Sequence, residues 1–158
     1  MSRVLIVAYR TAATPPLLAA VRERAAQGPC EFTLLLPRPY WDADTEESAL
    51  TLELALPLLD EAAAGHVEGL VGDTDPFVAV QGAMQRTPFD EIIVSTLPTG
   101  SSRWLGLDLP RRLQKLTSVP VRHVVSQPPR QEVPTGPPPK RPQKMGVLAA
   151  LGAMVTRR

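Results

Sequence analysis

Val4-Leu5-Ile6-Val7-Ala8 is a continuous apolar run with no polar alternation. That is the pattern of a strand buried on both faces, as in a parallel sheet covered by helices. Thr14-Pro15 follows, a good N-cap with proline at the first helical position. Leu17, Leu18, Val21 and Ala25 then share one helical face, opposite Arg22, Glu23 and Arg24. Gly28-Pro29 closes this helix, and Phe32 to Leu36 reads as a second buried strand, stopped by Pro37 and Pro39. A loop with Tyr40, Trp41, Asp42 and Asp44 leads into a helix from about Glu46 to Ala63, in which Pro57 predicts a kink or a division and Gly65 the end.

Val67 to Val71 predicts a third strand. Asp75-Pro76 then caps and opens a helix whose apolar face is Phe77, Val80, Ala83 and Met84. Ile92-Ile93-Val94 is the fourth strand, followed by a polar loop from Ser95 to Ser102, a segment from Trp104 to Leu116, and a last strand over Val119 to Val125. Within that segment, Asp108 and Pro110 predict a helix start, with Arg111 and Arg112 on a solvated face. Trp104 and Leu107 are expected to anchor it to the sheet or to meet another subunit. The order βαβαβαβαβ predicts a parallel sheet with helices on both faces and right-handed crossovers.

From Gln127 the composition changes. Seven prolines between Pro128 and Pro142 make residues 127–144 a semi-extended linker. In residues 145–158, Val147, Leu148, Leu151 and Val155 can form one short apolar helix face, expected to dock on its own domain or on a second subunit. Residues 1–126 therefore form the α/β domain.

Composition narrows the partners. The net charge is +1, which gives no electrostatic basis for binding nucleic acid or an anionic membrane. Cys30 is the single cysteine, so an intrachain disulfide and a cysteine-based zinc cluster are excluded. A small buried thiol is the expectation there. Met1 to Arg10 lacks a signal-peptide layout, and the apolar stretch Val147 to Val155 is too short to span a bilayer. A soluble, cytoplasmic protein is expected.

Three stretches resemble the universal stress protein family: Arg3 to Ala8 running on to Arg24; Val67 to Pro76 with its following helix; and Phe89 to Thr96, continuing through Leu113 to Val121. Together they cover residues 3 to about 125. The resemblance implies a three-layer Rossmann-like fold of the adenine nucleotide alpha hydrolase type, with strand order 3-2-1-4-5, and a homodimer. Such a sheet binds ligands at the switch point between strands one and four, beyond the carboxyl ends of the strands. Here that places Tyr9, Arg10 and Thr11 opposite Ser95 to Arg103.

Members of that family that bind ATP carry a glycine signature after the fourth strand, whose amides approach the phosphates. Matched by spacing, the corresponding positions are Ser95, Pro98, Asp108 and Leu109, and every one departs. Pro98 has no amide hydrogen, Asp108 brings a carboxylate to the phosphates, and Leu109 lacks the hydroxyl. Tyr9 stands where those members usually have an acidic residue at the end of strand one. The departures argue against ordinary ATP binding, and no cofactor is expected.

The loop still offers chemistry. Thr96, Thr99, Ser101 and Ser102 supply hydroxyls, Gly100 a flexible backbone and Arg103 a cation, and Gly100-Ser101-Ser102 can form an anion-cradling nest. Arg10 can converge on the same space. With Tyr9, Thr11 and Ser95, these are the candidate ligand-binding residues; the plainer reading is that Ser and Thr satisfy loop backbone groups. No P-loop, nucleophile elbow or His-Glu-x-x-His motif occurs. His66 and His123 are isolated in sequence, and Asp42, Asp44, Glu46 and Glu47 read as a solvated acidic helix start. The expected function is a regulatory or adaptor module acting by association or conformation. The alternative is a sensor binding an anion or nucleotide in the switch-point cleft. A nucleotide hydrolase lacks a candidate base or metal cluster.

Overall fold

A computed structural model of the chain describes residues 1–98, 104 and 108–126. The linker over 127–144 and the apolar segment over 145–158 lie outside the described residues. Five strands, β1 (Ser2–Val7), β2 (Cys30–Pro37), β3 (Val67–Gly72), β4 (Glu91–Thr96) and β5 (Val121–Val125), alternate with helices α1 (Pro15–Ala26), α2 (Glu46–Ala63), α3 (Pro76–Arg86) and α4 (Leu109–Leu116). The sheet is parallel throughout, in the order β3-β2-β1-β4-β5.

The unbroken apolar runs do what two-sided burial requires. Val4 and Ile6 join Leu34, Leu36 and Ile93 in a cluster with Leu17 and Val21 of α1 and Ala55 and Leu59 of α2. Their neighbours Leu5, Val7, Leu35, Ile92 and Val94 face the other way, against Val80 and Ala83 of α3 and Leu109 and Leu113 of α4. Period-two alternation along each strand thus feeds two cores, one per face. Trp104 packs against the second cluster, as the anchoring expectation had it; Leu107 lies outside the described residues.

Several local expectations are corrected. α2 runs through Pro57 without a division, with that proline exposed. The left-handed residue ending α2 is Ala64, at φ 55°, rather than Gly65. Ser95 and Thr96 complete β4 instead of opening a loop. Thr14 precedes α1 but does not cap it with its side chain; its hydroxyl lies 3.0 Å from the Thr11 carbonyl and 2.7 Å from Ser126 Oγ. Asp42 is buried rather than solvated. Its carboxylate accepts from Glu47 N (3.0 Å), Ser48 N (2.8 Å) and Ser48 Oγ (2.7 Å), holding the β2–α2 loop to the start of α2. Cys30 is only partly buried, and burial raises its thiol pKa. No described helix is long and apolar enough to cross a membrane.

Candidate functional site

The carboxyl ends of β1, β2, β3 and β4 open onto a cleft of about 600 Å³. β1 delivers Tyr9, Arg10 and Thr11; β2 delivers Pro37 and the loop residues Arg38, Tyr40 and Trp41. Asp75 and Phe77 stand at the start of α3, Ser95 and Thr96 end β4, and Trp104 and Arg112 complete the lining. Order 3-2-1-4-5 makes this cleft: the chain leaves β1 and β2 for helices on one face, and β3 and β4 for helices on the other, so their loops diverge at the β1/β4 boundary.

The floor is a hydroxyl network. Thr11 Oγ1 and Ser95 Oγ lie 2.6 Å apart, both nearly inaccessible to solvent, at 2% and 1% exposure. With the Thr14–Ser126 contact, these hydroxyls join the β1–α1 segment to the ends of β4 and β5. Thr96 Oγ1 lies 2.7 Å from His123 Nε2 across the β4–β5 pair. His123 is therefore not isolated in space, and burial lowers its pKa, which favours the neutral ring.

The walls are aromatic and cationic. Arg112, expected on a solvated face, is exposed, yet its guanidinium lies 4.0 Å over the Phe77 ring. Arg10, Arg38 and Arg112 line the cleft, and among the described residues none of them is in an ion pair. Asp75 is the one carboxylate in that lining, and it is engaged, accepting 2.9 Å from Phe77 N as the cap of α3. Three lining cations outnumber the one engaged lining carboxylate; the Glu47 carboxylate bound to Trp41 offsets part of that charge, and the balance still suits an anion. The Tyr9 phenol is pushed up to about 12, first by burial and then by its hydrogen bond to Glu47 and the nearby carboxylate charge. It stays protonated.

The sequence-predicted residues divide into three groups. Tyr9 and Arg10 reach the cleft, as does Thr96, whose buried hydroxyl is held against His123. Thr11 and Ser95 reach it too, but with their hydroxyls committed to each other. Thr99, Gly100, Ser101, Ser102 and Arg103 lie outside the described residues. Asp108 stands before α4 without a side-chain capping hydrogen bond, at φ 54°. This is the left-handed geometry that glycine adopts most readily, here occupied by an exposed carboxylate. Sequence reasoning missed Arg38, Phe77 and Arg112 as site residues and gave Tyr40 and Trp41 no role. The usable signal was their position: Arg38, Tyr40 and Trp41 directly follow a strand's carboxyl end, and Phe77 follows the Asp-Pro helix start. Among the described residues no group of three His, Cys, Asp or Glu is placed to hold a metal ion.

Comparison with known protein families finds no match, and comparison with curated proteins by sequence finds none either. Solved structures do match. A universal stress protein in complex with cAMP superposes at a TM-score of 0.59, with 17% identity, covering 80% of this chain and 98% of the other. A protein described only as hypothetical matches at 0.54 with 15% identity, covering 82% and 99%. A universal stress protein from Archaeoglobus fulgidus matches at 0.53 with 15% identity, covering 78% and 98%. The chain is similar to these proteins in fold.

Proposed function

We propose that this chain is a divergent universal stress protein-like sensor that binds a small anionic ligand in the switch-point cleft and responds by conformation or association rather than turnover. The observation behind this reading is the cleft itself, with three arginines against one engaged carboxylate at the carboxyl ends of four parallel strands. The fold similarity to a protein crystallised with cAMP makes nucleotides reasonable first ligands. Pro98 and Asp108, in place of signature glycines, argue against a triphosphate. Isothermal titration with cAMP, AMP, ATP and inorganic phosphate tests this. Binding of cAMP, AMP or phosphate, weakened at least tenfold by Arg112→Ala, is the expected result. Flat traces for all four would remove the sensor, and ATP binding tighter than AMP would remove the argument from the departed signature.

Association is the second part of the reading. β5 is an outer strand with an unpaired edge among the described residues, and Val125 on it is exposed. A homodimer along that edge is the expected assembly. A monomer by light scattering, with and without ligand, would leave conformation as the only output.

A further inference from the structure

Aromatic side chains are scarce in this chain, with two Trp, two Tyr and three Phe. Phe32 and Phe89 lie in the core. Both Trp, both Tyr and the remaining Phe77 line the one cleft. Five of seven rings in a single place is not how a hydrophobic core spends them, so their placement points to the cleft's contents. Three of the five are already committed: Phe77 lies under Arg112, Trp104 packs on one core cluster, and Tyr9 packs on the other. Tyr40 and Trp41 are open, at 71% and 54% exposure.

Their exposure does not come with a lack of restraint. Trp41 Nε1 donates to both Glu47 carboxylate oxygens, at 3.1 and 3.2 Å. Glu47 N in turn donates to the buried Asp42 carboxylate. The Tyr40 and Trp41 rings meet edge to face, with centroids 5.1 Å apart and an interplanar angle of 83°. A large indole is thus held in a set orientation at the lip of a cationic cleft, with apolar surface left in water. Holding it costs side-chain entropy in advance, which favours a ligand that stacks on it.

We propose that Tyr40 and Trp41 form a ring platform that sets the selectivity of the cleft, and that the ligand is a planar aromatic ring carrying an anionic group. The ring stacks on Trp41 and the arginines meet the charge. This rests on the anion-binding reading above and assigns the side chains that discriminate among its ligands. Arg38, between Pro37 and Pro39 on the same loop, brings a cation next to the platform in sequence.

Titrating the full chain with AMP, ribose 5-phosphate and inorganic phosphate tests the proposal, because the first two share the phosphate and differ in the ring. AMP is expected to bind more tightly than ribose 5-phosphate. Trp41→Ala is expected to weaken AMP by roughly ten- to a hundredfold, the usual value of one base–aromatic stack. It should leave ribose 5-phosphate affinity unchanged, and Trp41→Phe, which keeps a ring but loses the hydrogen bonds to Glu47, should restore part of the loss. Equal binding of AMP and ribose 5-phosphate, or unchanged AMP affinity in Trp41→Ala, overturns the platform while the anion cleft stands. No binding of any of the three overturns both.

Discussion

The Thr11–Ser95 hydroxyl pair offers a quantitative test of how the cleft floor is built. Both side chains are buried and 2.6 Å apart, and neither side-chain oxygen has another partner among the described residues. Ser95→Ala removes one partner and leaves the Thr11 hydroxyl desolvated and unpaired, at a cost of about 1–3 kcal/mol. Thr11→Val preserves the branched shape and strands Ser95 in the same way, with a similar cost. In the double variant neither orphan exists, so the loss should be well below the sum, with a coupling of about 1 kcal/mol or more. For a domain of this size each kcal/mol moves the melting temperature by about 4 °C. Each single variant should therefore melt roughly 4–12 °C lower, and the double variant no lower than the worse single. Urea unfolding followed by circular dichroism, with calorimetry as a second probe, measures the cycle. Additivity within about 0.5 kcal/mol would refute the claim that these two hydroxyls satisfy each other.

Two further outcomes follow from the geometry. A Cβ on Gly72 would meet Ala79 Cβ at 2.7 Å and Leu35 Cδ1 at 3.0 Å, so Gly72→Ala must push α3 from β3. A loss of about 1–3 kcal/mol is expected from such overpacking, and an unchanged urea midpoint would show that the helix gives way freely. The raised Tyr9 pKa fixes the sign of an alkaline effect. Unfolded tyrosine ionises near about 10, whereas folded Tyr9 holds its proton to about 12. Stability from this group is intact below pH ~10 and is lost as pH rises toward 12, because the unfolded state gives up its proton first. Tyr9→Phe should flatten that part of the stability–pH curve, and an equal slope in the variant would refute the assignment.

Element type was written locally. Unbroken runs such as Val4 to Ala8 and Phe32 to Leu36 specify strands covered on both faces, and Asp75-Pro76 specifies a helix start, because periodicity and capping depend only on near neighbours in the chain. These signals determined the α/β alternation, and the resemblance implied the strand order that the structure shows. Local signals erred where a residue's partner lay elsewhere. The pattern around Asp42 reads as solvated, but the loop folds its carboxylate under α2. Thr14 looks like a cap, but Ser126, 112 positions away, takes its hydroxyl. His123 looks isolated until β5 lies beside β4 and sets it against Thr96. The walls of the cleft belong to the same class, since the loop carrying Arg38 and Trp41, the helix start at Phe77 and the helix carrying Arg112 are three separate segments that meet only when the crossovers carry them to one end of the sheet. Which side chains the chain owns, and which element each sits on, was legible in the sequence; which of them share a space was decided by the sheet.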